Sequence, residues 1–235
     1  MILTTLVLFF SVIAGYLLFN LIDGNELRTK FIVAFSGAFI LGLIFLHLAP
    51  EVFDNHNHSI GLWVLLGFLL QVILEVFSGG VEHGHFHNTH KGNFPWGIFL
   101  SLCIHSFIEA MPLANPSLHH HHGNSPLLLG IALHHVPVTV ALISFMKKGN
   151  VENSKIIASV LFFAVISPAG YFLAKIIDFN GIIENWTSII GAIVIGIFLH
   201  LSTTILFETD KGHKFNLIKF VAIIVGFSVA YISVL

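Results

Sequence analysis

Charge is what this chain has least of. Only 9% of its 235 residues are Asp, Glu, Lys or Arg, while 56% are hydrophobic. A soluble domain carries about 25% charged residues. So few charges cannot cover a surface that faces water, which excludes an ordinary soluble enzyme and leaves the bilayer as solvent. The formal net charge of -2 gives no electrostatic footprint for nucleic acid. The single cysteine, Cys103, excludes both a disulfide framework and a thiolate-rich metal cage. No aspartate lies inside an apolar run and no HExxH pair is present. Two usual marks of a metal-dependent hydrolase are therefore missing.

What is present is apolar sequence in long runs. A membrane span needs about 20 mostly apolar residues. Eight runs qualify: 2–22, 31–50, 59–78, 96–114, 126–146, 155–175, 187–207 and 215–234. Backbone polar groups in lipid must be satisfied within the segment, so each run is predicted to be a helix. The fold class is all-α: a polytopic membrane protein, one transmembrane domain over residues 1–235. The first run has no basic residue before it, which fits a span better than a cleaved leader. Such a chain suits a bacterial inner membrane.

Basic residues set the orientation. Arg28, Lys30, Lys91, Lys147, Lys148, Lys155, Lys211, Lys214 and Lys219 lie in or beside the odd connectors, and Lys175 alone lies beside an even one. The positive-inside rule then puts the odd connectors in the cytoplasm and both termini outside. There is also an internal echo. Span two ends FLHLAPE, with His47 and Glu51, and span seven holds FLHLSTTILFE, with His200 and Glu208. The two spans run in opposite directions. Antiparallel repeats of spans 1–3 and 6–8 around a central pair, a 3+2+3 arrangement, would account for this.

The central pair carries the chemistry. His105 and Glu109 are four apart, which puts them on one helical face. Pro112 follows and is expected to bend the helix while freeing the carbonyl of Ile108. In span five His134 and His135 precede Pro137, which frees the carbonyl of Leu133. Adjacent helical residues point about 100° apart, so one imidazole faces a given ion and the other faces a neighbouring group. A short connector makes the two spans antiparallel neighbours, and the four side chains can converge near mid-bilayer. Ionisable groups there cost at least about 2.5 kcal/mol each and mark ion paths or buried partners. Imidazole with carboxylate is a donor set for zinc and similar divalent ions. A buried histidine–glutamate ion pair between helices is the plainer reading.

HSFIEAMP and HHVPVT resemble the paired signatures of the ZIP (Zrt/Irt-like) divalent metal transporters. HLAPE in span two, LLGFLLQVILE in span three and a histidine-rich loop before span four add to the likeness. The resemblance extends over essentially the whole chain. It implies eight spans in a 3+2+3 order and transport of zinc, iron, manganese or a similar ion toward the cytoplasm. It also implies ligands drawn from spans four and five. There are departures. The family usually has asparagine where Ser106 stands, a carboxylate where His135 stands, and often His or Glu where Val138 stands. A glutamate often precedes its span-six Pro-x-Gly, where this chain has Ser167. A second metal position is thus weakened, and a mononuclear site of His105, Glu109, His134 and His135, completed by water, is expected. One carboxylate with two or three imidazoles favours zinc over magnesium or manganese. Binding should weaken near and below about pH 6, where imidazole protonates.

His83, His85, His87 and His90 lie in the connector 79–95, a cytoplasmic loop suited to collecting released ions. His56, His58 and the run His119–His122 lie on the outer side and can concentrate ions at the entrance. His47, Glu51 and His200, with Ser106 beside the central site, are candidate pathway residues. The partners are then divalent ions and the bilayer, with no nucleic acid; a homodimer is compatible. No bound cofactor is required, since the metal is cargo. The competing reading is an intramembrane zinc hydrolase using Ser106 and Glu109. A haem carrier with paired axial histidines and a non-transporting sensor are the remaining alternatives.

Overall fold

The computed structural model describes residues 1–22, 26–54, 59–79, 94–114, 125–180, 186–207 and 217–235. Among the described residues eight helices are long and apolar enough to cross a membrane, and there is no strand. They are α1 (Ile2–Ile22), α2 (Glu26–Leu43), α3 (Ile60–Ser78), α4 (Trp96–Glu109), α5 (Ser125–Lys148), α6 (Asn153–Asn180), α7 (Trp186–Phe207) and α8 (Leu217–Val234). Their order and number match the eight apolar runs.

Two helices end differently from expectation, both at prolines. The α2 rod does not stop near residue 50. It widens into a π-turn at Ile44–Leu48, where the Ala49 N–H donates to the Ile44 carbonyl, and adds a last turn at Ala49–Phe53. Pro50 has no N–H and would collide with the carbonyl four residues back. The wider turn, with Pro50 at the start of the following segment, removes that conflict. Pro112 was expected to bend a continuing helix, and this is corrected: α4 ends at Glu109 and a 3₁₀ turn, Met111–Ala114, follows. That turn is wholly buried and packs on α6 and α7. Pro137 does lie inside a continuous helix, α5.

No water-driven collapse holds helices together in lipid, so close packing must do it. The most extensive pairings join α3 to α7 and α2 to α8. Gly67 of α3 sits against the Ile193 carbonyl, and Gly196 of α7 against the Val64 carbonyl. A Cβ at either position would run into backbone, so only glycine permits this approach. Gly170 of α6 meets the Phe107 carbonyl of α4 in the same way. Helices α4, α5 and α7 lie deepest, while α1, α3 and α8 are outermost. The outer faces carry exposed Leu65, Leu69, Ile73, Ile224 and Ile232, side chains that suit acyl chains.

Candidate metal centre

Two central helices and their neighbours place an unusual set of polar groups in this apolar core. His105, Ser106 and Glu109 of α4 are buried, as are His134 and His135 of α5. His105 and Glu109 share a face, with Nε2 of His105 3.1 Å from Oε2 of Glu109. Nδ1–H of His105 donates to Oε1 of Gln71 on α3 at 3.0 Å. The His105 and His134 rings lie edge to face, centroids 5.7 Å apart. Phe198 of α7 covers His105 from another side at 6.5 Å.

His105, Glu109 and His134 each offer one donor atom, and the three atoms lie within 4.8 Å of one another. Zinc–ligand bonds are about 2.0–2.1 Å, which sets tetrahedral donors about 3.3 Å apart. Small side-chain rotations close the difference. The donor chemistry also fits. With its Nδ1 proton on Gln71, His105 turns a lone pair toward the Glu109 carboxylate, and two electron-rich atoms at 3.1 Å call for a cation between them. His134 is steadied by the Ser36 hydroxyl of α2, 3.3 Å from its Nδ1.

The adjacent imidazole does something else. His135 Nε2 is 2.7 Å from Oε1 of Glu109, the carboxylate oxygen opposite the one that faces His105. It is also 3.2 Å from the Ser106 hydroxyl and 3.4 Å from that of Ser167 on α6. Its Nδ1 is 2.9 Å from the Ser11 hydroxyl of α1. The Ser11 hydroxyl also lies 2.7 Å from the Leu8 carbonyl, and the Ser167 hydroxyl 3.2 Å from the Ser106 carbonyl. His135 therefore backs Glu109 from a hydroxyl-lined compartment and stands outside the three-atom donor group. The roughly 100° between neighbours on a helix separates the two roles.

Among the described residues, no other sequence candidate belongs to this donor group. His47 is half-buried in the π-turn of α2, with Glu51 in the last turn beyond it. His200 of α7 pairs with Glu75 of α3, Nε2 to Oε2 at 2.5 Å, and stacks edge-on against Phe68. His56, His58, His83, His85, His87, His90, His119–His122 and Glu208 lie outside the described residues.

Sequence reasoning gave no role to Gln71, Glu75, Ser11 or Ser36. Gln71 and Glu75 stand four apart on α3 and face polar partners on different helices. The available signal was that a buried amide in an otherwise apolar span is costly unless something bonds it.

A family described as ZIP zinc transporter has a sequence model that matches residues 84–233, about two thirds of the chain and every residue of the donor cluster. No curated protein matches the chain.

Proposed function

The chain belongs to the ZIP zinc transporter family and so is a divalent metal transporter rather than an enzyme, and we propose that its cargo is zinc, carried toward the cytoplasm through His105, Glu109 and His134. The observation that carries this is the meeting of three donor atoms within 4.8 Å in the buried middle of the helix bundle. Two imidazole nitrogens and one carboxylate oxygen form a borderline set, which favours zinc over oxygen-seeking manganese. One carboxylate gives a single divalent ion too little countercharge to hold it permanently, which suits cargo that must leave.

Two features support the direction and the architecture. The basic residues gather at the odd connectors, which favours cytoplasmic odd connectors and outward termini. The α3–α7 and α2–α8 pairings exchange with one another if spans 1–3 and 6–8 are inverted copies, so they favour the 3+2+3 arrangement. Transport is then alternating access, the outer repeats moving against the helix pair that carries the ligands. The histidine-rich connector 79–95 collects ions on release. The host is a bacterial inner membrane.

The test is metal-resolved uptake into proteoliposomes containing the purified protein. Zinc flux should exceed manganese flux at equal free concentration, and H105A should abolish the zinc flux. Manganese flux equal to or above that of zinc would overturn the cargo assignment. Uptake confined to molecules whose termini face the lumen would overturn the direction.

A further inference from the structure

Gln71 is a buried amide in an outer helix whose neighbours along the chain are Leu69, Leu70, Val72 and Ile73. Such a group persists in an apolar span only where its bonds are worth the cost. Its Oε1 accepts from His105 Nδ1–H at 3.0 Å. We propose that Gln71 is a positioning residue for metal capture. It holds His105 in the tautomer whose lone pair is on Nε2, the atom that faces Glu109 and His134. This deepens the zinc-transport reading and rests on it.

The geometry leaves Gln71 little freedom to be anywhere else. One turn earlier on α3, Gly67 sits directly on the Ile193 carbonyl of α7, which fixes the helix laterally. Just beyond Gln71, Ser101 of α4 donates to the Leu74 carbonyl at 2.8 Å, which fixes α3 against α4 in register. The amide oxygen is therefore delivered to His105 by two rigid contacts. A free imidazole divides its proton between two nitrogens and rotates about its side chain. A ring with Nδ1–H fixed on a carbonyl-type oxygen presents Nε2 alone, and such outer partners raise metal affinity about 10–100-fold. Glu109 contributes to the cluster with Oε2, and His135 holds the other oxygen. Each inward donor thus has its own outward tether.

Zinc itself, titrated into the purified full-length protein in detergent, is the probe. Q71L removes the acceptor at nearly constant volume and should weaken zinc binding about 10–100-fold. Q71E restores an acceptor oxygen and should recover most of that loss, which a merely space-filling role would not produce. In the metal-free wild-type protein, labelled with 15N-histidine and held near pH 8, the His105 signals, assigned by their loss in H105N, should show Nδ1 protonated and Nε2 bare. Equal zinc affinity in Q71L and wild type, or a His105 protonated at Nε2, overturns the proposal even when H105N has lost binding. Should Q71L fail to fold, the wild-type spectrum decides. If H105N binds zinc as wild type does, the metal-site reading itself fails, and this inference with it.

Discussion

The His105–Glu109 and His200–Glu75 pairs lie at different depths. His105 and Glu109 are 1% and 0% exposed, and the polar partners around them include groups on α3, α4 and α5. His200 and Glu75 are 13% and 28% exposed and bridge α7 and α3. The deep pair is doubly supported. His105 leans on Gln71, Glu109 leans on His135, and His135 leans on Ser11. In the shallow pair, Phe68 packs edge-on against His200. A charged group surrounded by apolar side chains must have its charge answered by neighbours, because water is not there to answer it. Near the edge of the bundle water can share that work. On the transport reading proposed above, the deep pair holds the cation and the shallow pair lies on its path.

The sharpest way to break this contrast is to remove the one carboxylate of the deep site. Glu109→Ala should reduce zinc uptake by more than the about 100-fold that outer-shell changes reach. The same substitution should leave the protein monodisperse in detergent, since alanine lies easily in an α-helix. Uptake within a few-fold of wild type would mean that the deep cluster is a structural ion pair.

A second pair of substitutions sharpens the contrast within the deep site. His134 supplies a donor to the cluster and His135 supports Glu109 from behind. His134→Ala should therefore cost more zinc affinity than His135→Ala, whose loss should stay within about 10–100-fold. Isothermal titration of both variants with zinc decides it. A His135→Ala loss equal to or above that of His134→Ala would put His135 among the ligands, as the sequence-derived set of four had it.

Much of this is legible in the sequence alone. The eight helices follow from apolar runs too long for anything else, and α4 and α5 stand out because His105, Glu109, His134 and His135 interrupt such runs. What stayed hidden depended on partners distant in sequence. Gln71 meets His105, 34 positions later. Glu75 acquires its meaning from His200, 125 positions later. The division of labour between His134 and His135 depends on which helix each faces, which helical spacing alone leaves open. Pro112 lies in a 3₁₀ turn that packs on α6 and α7, whereas Pro137 lies within a continuous helix.

The smallest effect belongs to the shallow pair. Partly exposed ion pairs contribute about 0.2–1 kcal/mol, so breaking this one should change equilibria by roughly 1.4- to 5-fold. His200→Ala should accordingly leave zinc affinity at the deep cluster, measured by titration, nearly unchanged. Its effect belongs in the uptake rate, which should fall only a few-fold, because an ion leaving the deep site loses one stopping point rather than its ligands. Glu75→Gln should act in the same direction and by a similar amount, and the double substitution should add little to either single one, since the two groups act as one unit. Full loss of uptake in His200→Ala with binding intact would place the limiting step at the shallow pair and reverse the ranking of the two regions.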